Sequence, residues 1–448
     1  MKMSLRRGLG LTAAILISSV TVQTAAQAAD PATSETLFRN VRVLDVVKGQ
    51  LGAPTNVLIE DGRIAKIGDR ITPSGPVKTI DGGGRTLMPG MIDVHVHLTF
   101  SALTMPQMLS PDLTPEKAEE AAGRQSHDML LRGFTAVRDA GGPIFGLKQR
   151  IDAGDLIGPR VWPSGAVISQ TSGHGDFRLP TERSRKFGGG VSRSELFGAN
   201  FIADGTSEVL TATRENLRFG ASQIKLMAGG GTSSDYDPID VTQYTFEEMK
   251  AAADAAADWN TYVMVHAYTQ RAVRRAIDAG VKCIEHGQLL DEATLRIMAD
   301  KGIWLSTQTF ADDNPNIDPK RREKRRDIVE NNAALWKNAK KLGVKLAWGT
   351  DFLFEPDLNV KQNSYLLKLK DWFTPAEILK LVTYDNAQLL ALSGPRSPYE
   401  GRLGVVEEGA LADLLLVDGN PLTQIDLLGD PAKNFTVIMK GGKFYKGG

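Results

Sequence analysis

Between residues 89 and 355, short apolar runs alternate with stretches in which apolar positions recur every three or four residues. The runs are GMIDVHVHL, FTAVRDAGG, RVWPSGAV, SQIKLMAGGG, TYVMVHAYT, KCIEHG, GIWLSTQTF and KLAWGTDF. Near-continuous apolar runs of this length suit strands of a parallel sheet covered on both faces. The stretches between them, such as TFEEMKAAADAAADWN, TQRAVRRAIDAG and DEATLRIMADKG, carry the period of amphipathic helices. Eight strands alternating with helices over about 300 residues predict an α/β fold of the (β/α)8 barrel type. An open doubly wound sheet is the second reading. That fold places a glycine-rich phosphate loop after its first strand, where this chain has two histidines.

The ends have a different texture. TLFRNVRVLD, TNVLIEDGRIAKIG and VKTIDGGGRTLMPG near one end, and ADLLLVDGNPL and FTVIMKGGKFYKGG at the other, are strand signals punctuated by Asp-Gly and Gly-Gly turns. The longest irregular piece, roughly residues 166–205, follows the third strand and is rich in Gly, Ser and Arg. A loop of that length on the catalytic face of a barrel usually carries function.

Composition narrows the field. Of 448 residues, 42% are hydrophobic and 24% charged, ordinary for a globular protein, and 53 basic residues balance 53 acidic ones. No basic excess points to nucleic acid. The opening MKMSLRRG, the apolar LGLTAAILISSV and the small residues AQAA predict a signal peptide over 1–28, cleaved after Ala28. The apolar run falls short of the ~20 residues that span a bilayer. Export to the periplasm or the medium follows, with no membrane association after cleavage. Losing Lys2, Arg6 and Arg7 takes the formal charge from 0 to −3. Cys283 is the only cysteine, so no internal disulfide forms, and it is expected to pack as a small hydrophobe.

The chemistry lies in the histidines, of which there are six. His95 and His97 sit two apart, a spacing that puts strand residues on one face. His266 ends the fifth strand and His286 the sixth. Lys225 lies within the fourth, and Asp351 follows the eighth. Singly, each has a structural explanation: a satisfied core histidine, or an Asp351 helix cap. An unpaired buried lysine is harder to explain. Together they converge on the strand ends where barrels build active sites. His127 falls on an outer helix, away from this group.

These residues resemble the metal-dependent amidohydrolase superfamily over nearly all of the mature chain. GMIDVHVHL is similar to its first-strand HxH motif, and QIKLMAGGG, VHAYT, IEHG and GTD to its later strand motifs. The tail GRLGVVEEGALADLLLVDGNPL resembles the return into a small β-sandwich made from both chain ends. The implied domains are 29–88 and 399–448 for the sandwich and 89–398 for the barrel. The resemblance implies two divalent ions, zinc by preference. His95, His97 and Asp351 would hold one, His266 and His286 the other, and an N-carboxylated Lys225 would bridge them. Asp351 would be the catalytic proton shuttle.

GFTAVRDAGG, SGHGD and HAYT resemble the branch holding Xaa-Pro dipeptidases and hydrolases of N-acyl amino acids, ochratoxin A among their substrates. His174 and Tyr268 would then bind a free α-carboxylate. Ser101, beside Phe100, would join them as a substrate contact, with Phe310 adding aromatic surface. Arg138, Asp139 and Glu285 would support the ligands, with Arg138 and Asp139 expected to form salt bridges. Asp235 and Asp237 are candidates for reading a basic side chain. The expected substrate is a small molecule or dipeptide with a free C-terminal carboxylate and hydrophobic residues. Alternatives are a Xaa-Pro dipeptidase, a mononuclear deaminase or imidazolone-ring hydrolase, and a non-catalytic periplasmic metal- or peptide-binding protein. Homo-oligomerisation stays open.

Overall fold

The computed structural model describes residues 35–311 and 318–448. The predicted signal peptide lies outside them. In chain order the strands are β1 (Glu35–Asp45), β2 (Gln50–Glu60), β3 (Arg63–Gly68), β4 (Val77–Asp81) and β5 (Thr86–Pro89). Next come β6 (Met91–Val96), β7 (Phe134–Asp139), β8 (Arg160–Pro163), β9 (Val167–Ser169) and β10 (Asn200–Ile202). They continue with β11 (Ile224–Met227), β12 (Val263–Thr269), β13 (Cys283–Leu289), β14 (Trp304–Thr307) and β15 (Lys345–Trp348). The last are β16 (Leu414–Val417), β17 (Phe435–Lys440) and β18 (Lys443–Lys446).

The strands of both chain ends join in one mixed sheet, ordered β18-β17-β16-β5-β1-β2-β3 with β4 beside β1. This differs from the two facing sheets of a sandwich. The sheet curls back on itself: Ile64 N donates to Ala410 O at 2.9 Å, and Ala412 N to Gly62 O at 2.8 Å. Curling encloses Phe38, Val57, Ile64, Leu87, Leu414 and Val437 without a second sheet.

The central strands form two parallel sheets, β6-β7-β8 and β10-β9-β11-β12-β13-β14-β15. The third apolar run, RVWPSGAV, is split into β8 and β9 around Gly165, whose φ of 76° breaks the extended backbone. Two seams separate the sheets. Ser222 N donates to Pro163 O at 2.8 Å across one, and Asp351 N to His95 O at 2.8 Å across the other. Asn386 staples the second seam, its amide reaching Ile92 O at 2.7 Å and Trp348 O at 2.9 Å.

Helices such as Thr206–Arg218, Phe246–Asp258 and Gln270–Asp278 turn Val209, Met249, Val273 and Ile277 onto Ile224, Val263, Val265 and Ile284. The opposite strand faces bury Ile92, Val94, Trp162, Met264 and Cys283 together. Cys283 is thus a free, buried thiol. Residues 166–205 carry β9, β10 and a short helix, Arg193–Leu196, closed by a Ser192–Glu195 capping box. Among the described residues, no helix is long and apolar enough to cross a membrane.

Candidate active site

Lys225 on β11, His266 and Tyr268 on β12, and His286 on β13 line one open cavity with His95, His97, His174 and Asp351. His95 lies one residue before the end of β6 and His97 directly follows the strand; both reach the same group. Asp351 Oδ1 lies 3.3 Å from His95 Nε2 and 3.4 Å from His97 Nε2. Lys225 Nζ lies 3.5 Å from His95 Nε2. His286 packs its ring 4.4 Å from His266 and 5.0 Å from His95.

Two of these residues are aimed by unusual backbone. His286 has φ 80° and Asp351 has φ 55°. Left-handed conformations are strained for residues with a Cβ and recur where function requires them. In a regular strand His286 would face away from its neighbour Glu285; the positive φ re-aims it. Gly349, before Asp351, leaves room for β6, since a Cβ there would stand 2.5 Å from both the N and Cβ of His95.

Each of the four strand-end imidazoles has one ring nitrogen held by an acceptor. His95 Nδ1 meets Glu285 Oε2 at 2.7 Å, and His97 Nδ1 meets Gly141 O at 2.8 Å. His286 Nδ1 meets Gln308 Oε1 at 2.8 Å, and His266 Nε2 meets Gly230 O at 2.9 Å. An N–H donated to an acceptor fixes the tautomer and leaves the other nitrogen's lone pair for a metal. Burial lowers the pKa of His95 to about 4 and of His286 to about 3, and holds His266 well below its usual value. All three are neutral at pH 7.

Burial also lowers the pKa of Lys225, against the opposing pull of Glu285 and Asp351. For Asp351 burial acts upward, yet His95, His97 and His286 hold it below the usual carboxylate range. Its Oδ1 is buried without a hydrogen-bond partner. A carboxylate oxygen left so, between two imidazole nitrogens, is costly unless a cation completes it. The donor set of His95, His97 and Asp351, mutually within 4.8 Å, therefore fits a divalent metal.

Glu285 also accepts from Arg138 Nη2 at 2.7 Å. Burial works against its ionisation, but Arg138 and His95 outweigh it and keep Glu285 well below the ordinary value. Among the described residues, the expected salt bridge at Asp139 does not form. Adjacent strand residues face opposite sides, so Arg138 turns to Glu285 while Asp139 accepts from Leu98 N at 2.9 Å and Gly141 N at 3.1 Å. Asp139 thereby braces the turn carrying His97.

His174 stacks on His266 at 4.0 Å, with Nδ1 2.8 Å from Ser234 Oγ and 3.4 Å from Asp237 Oδ2. Gly231 is required there, because a Cβ would stand 1.9 Å from the His174 ring. Burial raises the pKa of the Tyr268 phenol, so it stays a neutral donor. Phe100 and Phe310 line the cavity as expected, joined by Phe177, Phe352, Phe354 and Leu358. Ser101 does not line it. The short 3-10 turn Phe100–Ala102 points Phe100 inward and buries Ser101, whose carbonyl accepts from Asn359 at 2.8 Å. Asp237 is committed to His174 and to Gly231 N, and neither it nor Asp235 reaches the lining. His127 is exposed beside Asp128. Sequence reading missed Gln308, Arg325 and Glu355; the last two line the cavity.

The amidohydrolase family profile matches residues 86–444. The chain is 33% identical over 372 residues to an ochratoxinase of Aspergillus niger, covering 81% of this chain and 76% of that one. It superposes on a prolidase solved with N-methylphosphonate-L-proline at TM-score 0.84 and 33% identity, over 92% of this chain and all of that one. A Xaa-Pro dipeptidase solved with bound methionine superposes at 0.78 with 27% identity, over the same shares. The tethered imidazoles, the unpaired Asp351 oxygen and these relatives agree: the chain belongs to the amidohydrolase family and is a hydrolase of amide or peptide bonds.

Proposed function

We propose that the enzyme cleaves the amide bond of N-acyl amino acids or dipeptides that carry a free C-terminal carboxylate, with hydrophobic residues preferred. The observation that carries this is the division of the cavity. His174 and Tyr268 both pack on His266, with Thr232 bonded to Tyr268, and offer donors, while Phe100, Phe177 and Phe354 pack on one another as an apolar wall. Apolar walls with few polar anchors suit an aromatic acyl group or hydrophobic side chain.

Two divalent ions, zinc by preference, would be held by His95, His97 and Asp351 and by His266 and His286, with Lys225 as a further ligand. Burial disfavours the Lys225 ammonium; its amine form would add to carbon dioxide and release a proton, giving a carbamate that divalent ions tolerate better than a buried cation. When bound, such ions supply Lewis acidity and a water acidified to near neutrality.

The chain's own groups do the rest. Tyr268 and His174 hold the α-carboxylate and set the scissile carbonyl over the histidine cluster. Water adds its oxygen to the acyl carbon, and Asp351 accepts the proton. The C–N bond breaks as Asp351 returns that proton to the departing amine. The products are a carboxylic acid and an amino acid.

A Xaa-Pro dipeptidase is the second reading, favoured by the likeness to the prolidase solved with a proline phosphonate. A mononuclear deaminase needs no lysine between its ligands, and Lys225 lies 3.5 Å from His95. The two seamed parallel sheets are proposed to act as one (β/α)8 barrel, with 29–88 and 399–448 as its companion domain. The basic and apolar N-terminus supports export to the periplasm or the medium. The test is a screen of zinc-loaded enzyme against N-acyl amino acids and dipeptides, including Xaa-Pro, by amine release. Turnover of N-acyl-phenylalanine above Xaa-Pro selects the first reading, and the reverse order selects the second. No turnover of either sinks both.

A further inference from the structure

Helix Pro319–Lys341 carries the basic run KRREKRRD, which by charge alone reads as solvated surface. Two neighbours in it behave otherwise. Lys324 Nζ donates to Ser234 O at 2.7 Å and lies 3.7 Å from Asp237 Oδ1. Ser234 and Asp237 are the residues that hold His174. Arg325 lines the cavity together with Ile328, three residues on and on the same helix face. Lys324 therefore pins this helix beside the His174 loop, and Arg325 on the same helix lines the cavity near enough to act electrostatically on the Tyr268 phenol.

Arg325 is half-buried, and its one hydrogen bond among the described residues runs from Nη2 to Ala311 O at 3.0 Å. No carboxylate of a described residue pairs with it. That bond engages one of the five donors of a planar fork that matches a carboxylate bidentately. A guanidinium lining a substrate cavity, with no paired carboxylate among the described residues, is suited to an anionic ligand.

We propose that Arg325 is a specificity-determining residue that binds the substrate's α-carboxylate alongside Tyr268 and His174. The inference rests on the proposed preference for a free carboxylate and adds the cation that enforces it. Arg325 takes no part in proton transfer, so its loss acts on KM for acids more than on kcat.

The test compares parent, Arg325→Ala and Arg325→Lys on N-acetyl-L-phenylalanine and N-acetyl-L-phenylalaninamide, with metal content measured for each. Arg325→Ala is expected to lose roughly 10–150-fold in its acid-over-amide ratio of kcat/KM, mainly through KM, at unchanged metal content. Arg325→Lys should keep part of the ratio, and added guanidinium ion should restore part of it to Arg325→Ala. A parent that prefers the acid while Arg325→Ala keeps the same ratio overturns the role of Arg325 alone. Equal loss on acid and amide also overturns it, since that marks a structural defect. A parent indifferent to the carboxylate overturns this inference together with the reading beneath it.

Discussion

Glu285 Oε2 holds His95 Nδ1 at 2.7 Å while Glu285 Oε1 takes Arg138 Nη2 at the same distance, all three side chains fully buried. The arrangement makes His95 donate through Nδ1 and leaves Nε2 toward Asp351. In Glu285→Gln, the amide oxygen stays with Arg138 and the NH2 group faces His95. The imidazole then moves its proton to Nε2 and loses the lone pair it needs. Metal affinity should fall by roughly 10–100-fold, read by chelator competition. Unchanged affinity with an Nδ1-protonated His95 by nitrogen NMR would remove Glu285 from the positioning role.

Lys225→Ala removes the amine beside His95. We expect loss of the paired centre and of nearly all turnover, with partial rescue by added formate or acetate. Two metals per chain and normal activity in this variant would refute carboxylation of Lys225.

Asp351→Asn keeps the side-chain shape but cannot shuttle protons. Its turnover should fall at least 10²–10⁴-fold, an order of magnitude typical of a general acid–base group, while most metal is retained. Activity within tenfold of the parent would exclude the role.

His95 and His286 titrate near 4 and 3 in the folded chain, against about 6.5 in an unfolded one. Between those values the unfolded state binds more protons, so their stabilising contribution is complete above pH 6.5 and declines as pH falls through 4. Asp93, raised by burial to about 6, acts in the opposite direction and favours the folded state at low pH. The comparison is therefore between metal-free parent and His286→Asn: thermal melts should show the parent losing more stability from pH 6.5 to 4.5. Parallel profiles would show that His286 is not buried neutral.

Legibility in the sequence followed local pattern. The eight apolar runs and the six-histidine scarcity were enough to mark His95, His97, Lys225, His266, His286 and Asp351, which the structure brings to one cavity. The partners that orient them were not legible. Gly141 and Gly230 act through backbone carbonyls, and Gln308 looks like any polar residue after a strand. The salt bridge expected at Asp139 was not legible either way, because the sequence does not say that the backbone N–H groups of Leu98 and Gly141 face it. Arg325 was hidden in a charged helix, since periodicity does not distinguish a solvent-facing arginine from one turned into a cavity. The curl of the terminal sheet depends on contacts more than 300 residues apart, such as Ile64 with Ala410.

Tyr268 is the proposed carboxylate anchor whose role separates most cleanly from folding. Its phenol is buried, touches the His266 ring edge-on at 5.0 Å, and stays protonated. A neutral donor facing a substrate carboxylate forms a charge-assisted hydrogen bond worth about 1.5–3 kcal/mol, or roughly 10–150-fold in kcat/KM. Tyr268→Phe keeps the ring and its packing while deleting the hydroxyl, which also bonds Thr232. The variant should therefore lose cleavage of N-acyl-phenylalanine far more than of its amide, because the amide never presents the anion. A packing defect would lower both together. Equal turnover of acid and amide by the parent would refute the carboxylate anchor itself and leave an amidohydrolase that reads some other part of its substrate.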